Sequence, residues 1–151
     1  MKLANALSQR SELQTRIRQL EVRLNNNALV QEGEQPAEDP MDLLRELEAD
    51  YARLEKLISA INRTNNTTKL KDGSALSDQL ARRDCLKSRL SSLRNFLNNA
   101  SALVHRHSAS EIKIKSTVNV RQLQKQVDSL SRELRELEEV IQEKNWATEL
   151  L

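Results

Sequence analysis

Aromatic residues are nearly missing from this chain of 151 residues, which has one Trp, one Tyr and one Phe. Without ring side chains, neither a thick core around a small-molecule pocket nor a stacking platform for single-stranded nucleic acid can be built. Glycine and proline, the residues that punctuate turns, occur twice each. That scarcity excludes a β-sandwich and the glycine-rich loop of a dinucleotide-binding fold. Cys85 is the only cysteine, so no internal disulfide framework exists. No run approaches the roughly 20 apolar residues of a membrane-spanning helix, and polar residues interrupt the start of the chain where a signal peptide would need an apolar stretch. The expectation is a cytoplasmic protein.

What remains is leucine and charge, in the proportions of a helical rod or bundle: 38% of residues are hydrophobic, 30% are charged, and 24 Lys+Arg nearly balance 22 Asp+Glu. Four segments repeat their apolar residues in steps of three and four, which places them on one stripe of an α-helix. The first stripe is Leu3, Ala6, Leu13, Ile17, Leu20 and Leu24, interrupted by Arg10. The second is Leu44, Leu47, Tyr51, Leu54, Ile58 and Ile61, with Leu43 and Leu57 beside it. The third runs from Leu76 through Leu86, Leu90, Leu93, Leu97 and Ala100 to Val104, with Arg83 at one seam position. The fourth is Val120, Leu123, Val127, Leu130, Leu134, Leu137 and Ile141.

Capping chemistry agrees with these segments. Asp39-Pro40 supplies a cap carboxylate and a proline at the first helical position, Asp72-Gly73-Ser74 a turn, and Asn119 with Gln122 a capping box. The predicted helices are 3–27, 40–63, 74–106 and 120–144, in one domain covering 1–151. The fold expected is mainly α: an antiparallel four-helix bundle with coiled-coil-like seams. One segment departs from the helical period, since Ile112, Ile114, Val118 and Val120 alternate with Lys113, Lys115, Thr117 and Asn119. Period two predicts a strand over 111–119, paired antiparallel with 28–34 or with the same strand of another subunit.

Charge is segregated along the chain. Residues 31–55 hold nine acids against Arg45 and Arg53, a net of −7, whereas residues 82–121 hold nine bases against Asp84 and Glu111, a net of +7. Their cancellation implies complementarity within the bundle or between identical subunits, rather than a free basic surface for nucleic acid.

Several strings together resemble one family: MKLANAL at the start, VQEGEQPAEDP (30–40), INRTN (61–65), LARRD (80–84), LQKQVDSLSRELRELEEVIQE (123–143) and NWATELL (145–151). They are similar to the septicolysin-like proteins, small bacterial proteins first noticed through corynebacterial members. The resemblance spans nearly the whole chain and implies a mainly helical fold assembled as a homo-oligomeric ring, a hexamer. The family name also carries a pore-forming label. It supplies no catalytic residues.

Three constellations are candidate sites. His105, His107 and Glu111 could ligate a divalent metal such as zinc, completed by a neighbouring subunit, although the simpler reading is two solvated histidines near a helix C-terminus. Asn62, Arg63 and Asn65 with Arg82, Arg83 and Asp84 form a polar end cluster, read as an ion-pair network that fixes register or as an anion site. Cys85 lies in the basic part of the third helix, but no partner base or oxyanion site accompanies it, and a packed or rim thiol is the simpler reading. The functional expectation is therefore a self-assembling structural or interaction protein, not an enzyme, with no cofactor or small molecule inferred and itself as partner. The alternatives are a membrane-active pore former and, with less support, a metal-dependent protein.

Overall fold

The computed structural model describes residues 1–103 and 112–151. Four helices account for most of them: α1 (Leu3–Asn26), α2 (Pro40–Thr67), α3 (Leu76–Ser101) and α4 (Val120–Ala147). The mainly helical, four-helix character expected from the periodicity is what is observed. Two compact units divide the chain, one of Met1–Ala75 with Lys144–Leu151, the other of Leu76–Glu143.

In the first unit α1 packs on α2 as an antiparallel hairpin, with Arg23 meeting Glu38 and Arg16 meeting Glu46 and Asp50. Leu3, Ala6, Ile17 and Leu20 of α1 face Leu43, Leu54 and Ile61 of α2 in the interior. Each fully buried leucine contributes about 1.5–3 kcal/mol. α2 starts where its capping residues dictate, as Asp39 Oδ1 accepts from Met41 N at 2.9 Å and Pro40 occupies the first turn. α1 ends on Asn27, whose side-chain amide donates to Arg23 O at 2.9 Å and whose Oδ1 accepts from Glu38 N at 3.0 Å. One buried asparagine thus closes the helix and pins the far end of the connection.

The second unit is the α3–α4 pair. Leu86, Leu90, Leu97 and Val127 are buried together, and Leu93, Val120, Leu123, Leu130 and Leu134 pack against them. Asn119 caps α4 through Gln122 N at 3.0 Å. Before α3, Gly73 holds φ at +84°, a conformation that side chains with a Cβ rarely adopt, and Asp72 Oδ1 accepts from Ser74 N at 3.0 Å. This is the turn read from Asp72-Gly73-Ser74, with the helix itself beginning at Leu76.

Two expectations are corrected. Among the described residues there is no strand or sheet, only the isolated bridges Lys2 with Glu149 and Lys69 with Ala75. Residues 28–34 turn instead, with Glu34 N donating to Gln31 O and Gly33 at φ +87°, while Leu29 stands 90% exposed. Residues 112–116 have no regular structure, 117 and 118 bend with Val118 N donating to Ser116 Oγ, and Ile112 and Ile114 are 79% and 64% exposed. Alternation produces a strand only when one face has something to bury against, and neither segment has it.

The second correction is the register of α2. Its inward stripe is Leu43, Leu47, Asp50, Leu54, Leu57, Ile61 and Thr64, in unbroken steps of four and three. Leu44 and Tyr51, expected on the seam, are 40% and 45% exposed. The sequence reading favoured the apolar member at each ambiguous step, whereas the folded helix turns Asp50 inward.

Leu20 and Leu90 are each fully buried, one in each unit. Leu20→Ala and Leu90→Ala should each cost about 2–5 kcal/mol, whereas Leu44→Ala should cost under about 1 kcal/mol. Urea denaturation followed by circular dichroism measures all three, and an equal loss at Leu44 would restore the seam expected from the sequence.

Candidate functional site

An acid on the inward stripe needs a counter-charge, and α1 provides it. Asp50 is 1% exposed; Arg16 Nε lies 2.7 Å from its Oδ2, and Arg53 Nη1, one turn along α2, is 3.6 Å from Oδ1. The Arg16 contact is an ion pair without the alignment of a hydrogen bond, which leaves Oδ2 unsatisfied in directional terms. The same guanidinium reaches Glu46 at 3.4 Å. Toward the connection, Arg23 clasps both carboxylate oxygens of Glu38, through Nε at 3.0 Å and through Nη2. The bidentate pair holds the Glu38 carboxyl below the ordinary glutamate range and raises the Arg23 guanidinium. Across the same hairpin, Tyr51 donates to Glu21 Oε1 at 3.3 Å; desolvation first, then the Glu21 charge, raises its phenol.

A second polar construction joins the two ends of the chain. Leu3 N donates to Thr148 O at 2.9 Å, and Leu150 N to Met1 O at 2.8 Å. Glu149 receives the terminal ammonium at 2.9 Å and Lys2 Nζ at 2.8 Å. These two cations, Lys2 first, hold its carboxyl below the ordinary glutamate range. Thr64 is buried one turn before the end of α2; its hydroxyl donates to Ala60 O and accepts from Leu151 N at 3.0 Å. An α1 amide that would otherwise lack a helical partner is thereby satisfied by the end of the chain.

In the second unit the basic stretch of α3 is matched by acids of α4. Arg82 pairs with Glu133 at 2.5 Å and Lys87 with Glu138 at 2.8 Å, while Arg94 Nη2 donates to Ser131 Oγ. The ion pairs of the described residues thus join the acids of 31–55 to α1 and the bases of α3 to α4, partners other than the ones that cancellation of the two stretches implied.

The residues singled out from sequence fall as follows. Asn62 and Arg63 are exposed and Asn65 is half-buried on α2, in the first unit. Arg82, Arg83 and Asp84 are on α3, in the second, where half-buried Arg83 pairs with Asp84 at 2.8 Å. Cys85 is exposed in a shallow cleft beside Arg82, Arg89 and Glu133. His105, His107 and Glu111 lie outside the described residues. Among the described residues no group of three or more His, Cys, Asp or Glu is placed to hold a metal, and no helix is long and apolar enough to cross a membrane.

A family of unknown function, DUF6847, matches residues 10–150. The chain belongs to it. In three dimensions it is similar to a functionally unknown conserved protein from Corynebacterium diphtheriae, whose crystal structure superposes with a TM-score of 0.95 at 40% sequence identity, over 100% of this chain and 99% of that one. No curated protein matches it. The DUF6847 chain therefore shares its architecture with that relative.

Sequence reasoning missed Asp50, Thr64, Asn27 and Glu149. A signal existed for the first two, since Asp50 and Thr64 continue the three-four stepping that begins at Leu43. Glu149 and Asn27 had none, because their partners are distant in the chain or belong to a loop.

Two predictions follow from these ion pairs. Arg16→Ala leaves a carboxylate buried with only Arg53 at 3.6 Å, and should cost about 3 kcal/mol in urea denaturation. Asp50→Leu leaves Arg16 half-exposed and able to pair with Glu46, so it should be neutral or stabilising; an equal loss in both would show that the pair itself, rather than burial of the acid, sets the cost. Because the folded pKa of Glu149 is depressed, its contribution is complete above the ordinary glutamate pKa and is lost as pH falls through the folded value. Melting temperatures of the parent and of Glu149→Gln should therefore differ at neutral pH and converge below about pH 4; a constant difference down to acid pH would remove the clasp from the account.

Proposed function

We propose that this chain is a self-assembling helical protein that acts as a structural or interaction component, without a catalytic centre of its own. The observation that carries the reading is the outer face of α2, where Leu44 and Tyr51, 40% and 45% exposed, continue a heptad-like repeat beside the α1 seam, Tyr51 reaching Glu21 of α1 with its hydroxyl. A helix that keeps a second apolar stripe outside its own hairpin has the pattern of a chain meant to be covered by another chain. The leucine seams and shallow clefts of the described residues support an interaction role over a pocket-based chemistry.

The resemblance to septicolysin-like proteins fits the same reading, through the homo-oligomeric ring it implies; a hexamer in the cytoplasm is the form we propose. The pore-forming label attached to that family has no observation of its own here to favour it. Metal ligation by His105, His107 and Glu111 enters only as a device for holding subunits together.

Size-exclusion chromatography with light scattering, with and without a chelator, tests the proposal. The expected result is a stable mass well above the 17.3 kDa of one chain, unchanged by chelation. A monomer would overturn self-assembly. Assembly abolished by chelation would instead make the two histidines intersubunit ligands.

A further inference from the structure

Two features of the chain are only partly covered by its own packing, and they complement each other. The first is the outer stripe of α2. Leu44, Tyr51 and Ile58 recur every seven residues, and Glu48 and Glu55 stand beside them on the same side of the helix. Tyr51 and Ile58 line a shallow groove together with both glutamates. The neighbouring acids Asp42, Glu46 and Asp50 all have cationic partners, whereas Glu48 and Glu55 form no ion pair among the described residues. The second feature is the irregular segment before α4, which would have to draw out as an extended chain to dock. Ile112 and Ile114 are exposed, they alternate with Lys113 and Lys115, and neither lysine forms an ion pair among the described residues.

From this complementarity we infer that segment 112–115 of one copy docks on the outer stripe of α2 of another copy. The claim rests on the self-assembly proposed above and names its surface. Residues 112 and 114 of an extended chain are about 6.6 Å apart, which lets both isoleucines settle between Leu44, Tyr51 and Ile58, whose spacing along the helix is about 10.5 Å. The lysine stems are long enough to fold past the thin backbone of the segment and bring their ammonium groups to Glu48 and Glu55. Charge also decides the occupant. Two α2 stripes packed antiparallel about Tyr51 would set Glu48 of one copy against Glu55 of the next, a repulsion that the lysine-bearing segment avoids. Since the two surfaces differ, the contact is head-to-tail and propagates until a ring closes or a filament forms.

Charge reversal tests it in the full chain. One variant carries Glu48→Lys and Glu55→Lys, the other Lys113→Glu and Lys115→Glu; all four positions are exposed, and unchanged thermal melts would verify that each variant folds. Light scattering should show each variant dissociating at least about tenfold more readily than the parent. Mixed in equal amounts, the two variants should reassemble, because every reversed surface then meets its complement. Parent-like assembly of either variant, or a mixture that stays dissociated, would overturn this contact while leaving self-assembly intact. A parent that is monomeric at about 100 µM would overturn both.

Discussion

Leucines repeating every three and four residues can slide past one another at little cost, because each notch of such a seam resembles the next. In α1 against α2 that freedom is removed by Asp50, an acid that can be inside only where Arg16 comes within 2.7 Å of it. A shift of one helical turn, about 5.4 Å, would leave the carboxylate buried away from its principal counter-charge, a cost of several kcal/mol that no leucine exchange repays. The ion pair adds little net stability and much uniqueness. With α2 rotated so that Asp50 faces inward, Leu43 and Ile61 follow it into the core, Thr64 comes to receive the end of the chain, and Leu44 and Tyr51 are turned outward.

The same economy governs the chain ends. A two-helix hairpin with one seam buries little surface for its length, and its open end would fray. Here α1 begins against the residues that follow α4: Leu3 N, Met1 O, the terminal ammonium and Lys2 all find partners between Ala147 and Leu150. The first unit is therefore completed by residues 144–151, distant in sequence from the helices they join. Charges are arranged on the same local principle. Ion pairs cross the seam within each helical pair, which limits wrong pairings between helices whose apolar stripes look alike.

Much of this was legible because amphipathic periodicity is a local property. The stripes of α3 and α4, the Asp39-Pro40 start of α2 and the Asn119 cap all involve residues within a few positions of one another. Register was harder. Leu43/Leu44 and Asp50/Tyr51 offer two interleaved stripes one residue apart, and hydrophobicity alone selects the wrong one, because the deciding term is an arginine on another helix. The strand expected over 111–119 failed for a related reason: alternation records which residues are apolar, not whether anything lies opposite them. Sequence spacing could not assign Arg82 to Glu133, 51 residues away.

Both misreadings fall on the residues that the chain's own packing leaves exposed. Leu44 and Tyr51 were expected on a seam, Ile112 and Ile114 on a strand paired within the chain or with another subunit's strand, and the patterns that suggested this are real. An apolar repeat that is periodic, flanked by unpaired charges of one sign and left outside the core is poorly explained as filler, since scattered surface leucines need neither periodicity nor charged neighbours. The acidic outer stripe of α2 and the lysine-alternating segment before α4 have opposite charge and matching apolar content, as two halves of one interface would. Under the proposed contact, local rules that fail inside one copy would be satisfied between copies, and the exposed isoleucines and leucines would follow from assembly rather than from the fold of a single chain.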